Sequence, residues 1–440
     1  MRAQPEVKTE PFWHDAAPPE AALAVVDLPA RVDVVVIGAG FTGLSAARRL
    51  AQAGRSVIVL DAGRPGDGAS SRNGGMIGWG HRASLDGLAK RYGEEVARAV
   101  LTEARASYDF TTGLIAEERI ECDLLITGRF LAAASPLHYE RLAREAEAAR
   151  QAAGLEIEVL SRTDQTQEIV TTAYHGGLLM PTHGGLHPAK FHRGLLAAAR
   201  RAGAEVIGHT PVTAIDRLGP TGFRIGTSRG TIEARDVAVA TNGYSGFHGK
   251  ALRPFAERLV PLPSFILATE PLGENRIRAL MPGGRMYVET RSTHAYFRAD
   301  PSGQRILWGG RASLNPISPE RALPRLRGQM LSIFPELEDV AITHSWTGRI
   351  AYTRDSIPHI GRHEGLWFAC GYCGSGVAMA PYLGWRMAEK ILGGDGARTG
   401  FDATRFNRVP FYRGLPLVLS GMELWHKAKD WREGVRPAKR

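Results

Sequence analysis

The chain has 440 residues, 44% of them apolar and 23% charged, the balance of a globular protein with room for two or three domains and a large core. Its net charge of +10 does not amount to a nucleic-acid interface, because the arginines alternate with acids and no basic stripe carries interleaved aromatics. No segment is apolar for long enough to span a bilayer and none resembles a signal peptide; with only Cys122, Cys370 and Cys373, the chain is expected to be cytoplasmic and without structural disulfides.

Residues 1–30 read as an Ala/Pro/Glu-rich extension in which Phe12 and Trp13 could anchor. Val34, Val35, Val36 and Ile37 then form a β-branched run of the kind buried on both faces of a parallel sheet. Gly38, Gly40 and Gly43 follow at GxGxxG spacing. The first permits a tight turn, the second lets a pyrophosphate approach the backbone, and the third lets the helix pack on the sheet. Ala47 and Leu50 fall on that packed face, and the helix N-terminus is an anion site. A second apolar strand, Ser56–Leu60, ends in Asp61, placed to accept hydrogen bonds from a ribose diol and to repel a 2′-phosphate. These parts in register imply an adenine dinucleotide, without saying which one.

Residues 63–80 are too glycine-rich for regular structure. Helical spacing runs over Leu85–Ala116, Leu137–Ala153 and Pro188–Ala202, the last with proline in its first turn. Strands are expected at Glu205–Ile207, Pro211–Ile215, Gly222–Thr227, Gly230–Glu233 and Asp236–Ala240. From Leu259 to Gly310 strands alternate with turns, Pro319–Phe334 is helical, and Trp346–Gly361 reads as irregular. The strand LWFAC, the loop GYCGSG and the helix Val377–Leu392 follow, and the basic stretch Lys427–Arg440 reads as a frayed tail. Nucleotide-type strands thus occur at the start, middle and end of the chain. The expected architecture is α/β, a discontinuous Rossmann-like domain (31–88, 185–250 and 346–395) interleaved with an α+β substrate domain on an antiparallel sheet (89–184 and 251–345), with 396–440 as a tail.

The fingerprint, GASSRNGGMIG at 68–78, HPAKFHRGLLAAARRAGAEV at 187–206, VAVATNGYS at 237–245, WTGRIAYTRDSIPHIG at 346–361 and GYCGSGVAMAPYLGWRMAEKILGG at 371–394 occur in a fixed order. Together they resemble the FAD-dependent D-amino-acid oxidase superfamily, in its glycine and sarcosine oxidase branch. GASSRNGG followed by ATEPL at 268–272 is most similar to the γ-glutamylputrescine oxidoreductase subgroup. The resemblance implies that Gly38, Ala39, Gly40, Phe41, Thr42 and Gly43 cradle the FAD pyrophosphate and that Asp61, with Ala62 beside it, holds the adenosine ribose. It further implies that Ser70, Ser71, Arg72, Asn73, Gly74, Gly75 and Met76 reach the phosphates and the flavin ring, and that Val212 pairs its backbone with the adenine. Ala240, Thr241 and Asn242 end a strand at the ligand edge of the sheet. Gly374, Ser375, Gly376 and Val377 open a helix whose dipole would point at the flavin pyrimidine.

Cys370 and Cys373 form a lone CxxC inside that loop and read as small packing residues rather than a redox or zinc pair. Substrate-facing candidates are Trp79, His294, Tyr296, Arg298, Arg311, Arg349 and Tyr352. Arg349 is the foremost, as a bidentate carboxylate ligand, and His294 and Tyr296 alternate so as to share one face of a strand. The implied activity is oxidation of the C–N bond of an amine or amino acid to an imine, by hydride transfer to flavin N5, followed by hydrolysis, with oxygen or a quinone-type oxidant as acceptor. A quinone-linked amino acid dehydrogenase, or an FAD-bearing subunit of a larger complex, are the alternatives. RIAYTRDS lacks the cysteine that tethers flavin in monomeric sarcosine oxidase, so noncovalent FAD is expected.

Overall fold

The computed structural model describes residues 6–20, 27–80, 83–153, 156–220, 222–292, 294–410 and 417–435. The apolar run at the start becomes the strand Arg31–Ile37, central in a sheet ordered His359–His363, Leu366–Cys370, Gly230–Val239, Arg31–Ile37, Val57–Leu60, Glu205–Ile207. Val34–Ile37 pair in parallel with Val57–Leu60 on one side and Asp236–Val239 on the other, which is why they read as continuously apolar. The two strands expected at Gly230–Glu233 and Asp236–Ala240 are one continuous strand, its far half pairing antiparallel with Gly222–Thr227. Helices Phe41–Gln52 and Gly376–Leu392 pack very closely. A Cβ on Gly384 would stand 2.2 Å from the Thr42 carbonyl oxygen, so glycine alone permits this approach.

The second sheet is ordered Ile342–Tyr352, Val260–Thr269, Ile306–Gly310, Ala295–Ala299, Met286–Glu289, Arg129–Ala132, Gly177–Met180, Glu158–Leu160. All its pairs are antiparallel except Met286–Glu289 with Arg129–Ala132. Alternation sends Phe130, Phe265, Leu267, Tyr287, Phe297 and Trp308 to one face, where Leu326, Met330 and Phe334 cover them. The opposite face carries Ser264, Ile266, Tyr296, Leu307 and Trp346, packed in part on Trp13, Ala17 and Ala189.

Besides that merged strand, and the short helix Ala69–Arg72 and strand Met76–Ile77 inside residues 63–80, which the sequence reads as without regular structure, three elements depart from the sequence reading. Residues 346–352, grouped by sequence with the nucleotide-binding segments and read as irregular, belong to the eleven-residue strand Ile342–Tyr352 of the second sheet. Gly348 and the polar residues around it hide the strand signal, and pairing with Val260–Thr269 supplies what propensity does not. The helix expected from Leu85 to Ala116 breaks at Gly93, whose φ of +88° ends Leu85–Tyr92 and starts Glu94–Glu117. Much of the expected frayed tail is ordered: Lys427–Arg432 complete the helix Leu417–Arg432, and residues 436–440 lie outside the described residues.

At the other end, Trp13 is fully buried and its Nε1 donates to the Asn73 carbonyl at 2.8 Å. Trp346 likewise donates to the Arg72 carbonyl at 2.9 Å. The extension and the second sheet therefore both clamp the 68–75 loop. Among the described residues no helix is long and apolar enough to cross a membrane.

Candidate active site

The turn after the first strand is built as its glycines require. Gly38 has φ +105°, a conformation that residues with a Cβ rarely adopt. A Cβ on Gly40 would lie 2.9 Å from Ser70 Oγ, and one on Gly43 would lie 1.9 Å from the Gly38 carbonyl oxygen. Asp61 closes the turn: its carboxylate accepts the Ala39 amide at 2.8 Å and the Gly63 amide at 2.9 Å. Burial raises its pKa, and these two amides oppose the rise. His192, buried on the helix Pro188–Arg201, shares a 2.7 Å hydrogen bond with the Ala39 carbonyl and stiffens the turn from behind. Ala62 is exposed beside Asp61.

The 68–76 loop is organised largely by its own side chains. Ser70 Oγ accepts the Phe41 amide at 3.0 Å, and Ser71 Oγ donates to the Gly66 carbonyl and bonds His14. Arg72 Nε donates to the Asp67 carbonyl at 2.5 Å. Asn73 donates to the carbonyls of Ala69 and Ser70 and accepts the Gly75 amide at 2.8 Å. Met76 pairs with Gly185 in a short two-stranded ribbon. The loop's polar side chains are thus turned inward as supports, and the buried Gly75 is itself tied in, its amide to Asn73 and its carbonyl to Leu186 and Arg298.

The remaining cofactor candidates converge on the same edge. Asn242 Oδ1 accepts the Gly371 amide at 2.8 Å, which joins the strand end Ala240–Thr241 to the glycine loop before the helix Gly376–Leu392. Thr241 bonds Ser245, Ser375 Oγ donates to the Gly80 carbonyl at 3.0 Å, and Gly374 has φ +104°. Thr42 Oγ1 and Tyr372 OH, 2.5 Å apart, tie the fingerprint helix to that loop. Val212 and Val377 are buried, and the Val212 carbonyl is bonded by His248. Cys370 and Cys373 are buried thiols, and burial pushes the Cys370 thiol up. The positive-φ turn at Gly38, with no room for a side chain at Gly40 or Gly43 before the helix N-terminus, fits the phosphates of a dinucleotide.

The substrate candidates separate into four groups. Tyr296 stands opposite Gly309, where a Cβ would lie 2.1 Å from its Cζ, and its OH is 3.0 Å from Ser264 Oγ. The His294 ring meets it edge-on at 6.2 Å. Beside them Arg311 donates to Tyr352 OH at 2.6 Å, its guanidinium over the Tyr352 ring, and burial pushes the Tyr296 phenol up to about 12. Sequence reasoning did not find Ser264, which only the pairing of Val260–Thr269 brings opposite Gly348 and beside Tyr296.

Arg349 lies elsewhere. One step along the strand from Gly348 it faces the other way, its guanidinium 4.4 Å from the Phe247 ring centre and 5.8 Å from that of Tyr244. Arg298, only 2% exposed, donates to the carbonyls of Gly75, Leu186 and Ala299 and is pushed down to about 10 by burial. It braces the loop from beneath.

Trp79 donates to Thr182 Oγ1 and meets the His183 ring edge-on at 4.7 Å. His183 carries no sequence signal of its own. It is fully buried, its ring nitrogens have no hydrogen-bond partner among the described residues, and burial with Arg129 nearby pushes it down to about 2. Among the described residues no group of three His, Cys, Asp or Glu side chains could hold a metal.

The model of the family described as FAD dependent oxidoreductase matches residues 33–390. The chain is 32% identical to the probable oxidoreductase OrdL of Haemophilus influenzae over 86% of each protein. It is also 32% identical to the γ-glutamylputrescine oxidoreductase of Escherichia coli K12, over 86% of this chain and 87% of that one. Among solved structures, glycine oxidase from Geobacillus kaustophilus superposes with a TM-score of 0.68 at 21% identity, covering 87% of this chain and all of that one, which shows a shared fold. The chain accordingly belongs to the DAO family of FAD-dependent oxidoreductases.

Proposed function

We propose that the chain oxidises the C–N bond of an amine or amino acid to an imine, which water then hydrolyses. The observation that carries this reading is the polar cluster Ser264, Tyr296, Arg311 and Tyr352 on the sheet face that abuts Gly74 in the FAD loop. The names of the relatives, γ-glutamylputrescine oxidoreductase and glycine oxidase, support an amine or amino acid as substrate class. FAD, held without a covalent bond, would supply the two-electron acceptor for the hydride leaving the carbon beside nitrogen, with oxygen or a quinone-type oxidant regenerating it.

The chain's own residues orient the substrate. The Arg311 guanidinium, steadied by Tyr352, offers positive charge to a substrate carboxylate. Tyr296 and Ser264 offer hydroxyls that fix a polar group of the amine, and Tyr296 enters as a neutral phenol. Hydride loss needs an unprotonated nitrogen, so rate should rise with pH as the substrate ammonium loses its proton.

Mixing the yellow protein anaerobically with a panel of amines tests this. Bleaching by at least one primary or secondary amine is expected, with Arg311→Met weakening only carboxylate-bearing members. Bleaching by dithionite but by no amine would sink the proposal.

A further inference from the structure

The helix Leu417–Arg432 is amphipathic the wrong way round for a helix at the surface of a globular protein. Its polar residues hold it down: buried Asp430 accepts the Ser292 amide and hydroxyl, the latter at 2.6 Å, and Ser420 Oγ accepts from Asn315 at 3.0 Å. Glu433, just past the helix end, bonds His138 at 2.8 Å, and buried Leu419 packs with Leu262 and Leu314. The opposite stripe, at helical spacing, is Gly421, Leu424, Trp425, Ala428 and Trp431, all exposed. Leu424 is 70%, Trp425 60% and Trp431 77% exposed, and Met422 stands near them.

The charges are sorted as well. The acids Asp430 and Glu433 face the protein and Glu423 is half-buried, whereas Lys429 lies over the Trp425 ring at 5.8 Å and Arg432 is exposed. The sequence adds Lys427, Arg436, Lys439 and Arg440, in a chain of net charge +10.

We propose that this helix docks the protein peripherally on an anionic phospholipid surface. Tryptophan and leucine flanked by lysine and arginine are the composition of helices that lie in the membrane interface, where indole rings sit at headgroup level and the cations meet lipid phosphates. The same pattern disfavours the other occupants. Lysine is depleted from protein–protein interfaces, and a second copy of this chain would bring like charges together. The inner side of the helix packs near Tyr352 through Leu419, so the exposed stripe is the side turned away from the substrate cluster.

The test is sedimentation of the full-length, FAD-loaded protein with vesicles of phosphatidylglycerol and phosphatidylethanolamine or of phosphatidylcholine alone. Binding to the anionic vesicles, weakened by salt, is expected. Trp425→Glu with Trp431→Glu should lower it at least tenfold, as should Lys429→Glu with Arg432→Glu, with flavin content unchanged in both. No pelleting, equal pelleting with neutral vesicles, or pelleting indifferent to both pairs would overturn the proposal. So would a dimer in solution that Trp425→Glu dissociates, since the face would then belong to a second copy.

Discussion

The ring of Tyr296 lies against Gly74 so closely that a Cβ on the glycine would stand 2.9 Å from Tyr296 Cε2. Gly309 makes the same allowance on the other side. One side chain of the second sheet is thereby clamped onto the 68–76 loop. Gly309→Ala should expel the ring, break its bond to Ser264 and cost about 1–3 kcal/mol of stability, read by thermal melting. Tyr296→Phe keeps the ring and loses the hydroxyl. A drop in kcat/KM worth about 1 kcal/mol, roughly fivefold, with flavin content unchanged, is the expected result.

The fingerprint helix leaves no room for a methyl group at Gly43, 1.9 Å from the Gly38 carbonyl oxygen. Gly43→Ala should yield protein that has lost most of its flavin, measured as the ratio of flavin to protein absorbance after gel filtration. Gly54→Ala is the control, because a Cβ there meets nothing within 4 Å, although its φ of +78° carries some strain. It should retain FAD.

Trp13 ties the N-terminal extension to Asn73, and its loss removes both a large buried ring and a hydrogen bond. Trp13→Ala should cost about 3–5 kcal/mol. Trp13→Phe, which keeps most of the packing, should cost about 1–2 kcal/mol. Equal melting temperatures for parent and Trp13→Ala would show that the extension does not clamp the loop.

Three buried histidines predict acid lability. Burial, with nearby cations, pushes His183 down to about 2, and His14 and His187 down to about 4. All three stay neutral in the fold while the unfolded chain takes up protons below pH 6.5, so stability is intact above 6.5 and falls as pH drops below it. Each contributes up to about 1.4 kcal/mol per pH unit. The decline continues toward pH 4 for His14 and His187 and further for His183. Denaturant melts between pH 7 and 4.5 should show it, and His183→Gln should flatten the slope; an unchanged slope would refute the role of His183.

The residues around Asp61 and Gly38 could be read directly because the cradle is made by neighbours in sequence. Strand, glycine turn, helix and carboxylate lie within thirty residues, and backbone sterics leave the glycines few other uses. The loop at 68–76 was legible as a position but not in its workings. Ser71, Arg72 and Asn73 turned out to face the loop's own carbonyls, a matter of a few side-chain torsions that no spacing encodes.

The other wall was not legible in the same way. Ser264, Tyr296, Arg311 and Tyr352 come from separate segments and meet because four strands pair in one register. Side chains on a strand alternate, so one residue of offset sends Arg349 to Phe247 and leaves Gly348 facing Arg72. Near Lys427 the sequence showed only basic charge, and Ser292 and His138, which are distant in the chain, decide which stripe of the helix is left outside. Short-range sterics wrote the dinucleotide cradle into the chain itself. Long-range strand pairing and helix docking, which no local pattern specifies, decided what stands against the 68–76 loop and what faces outward.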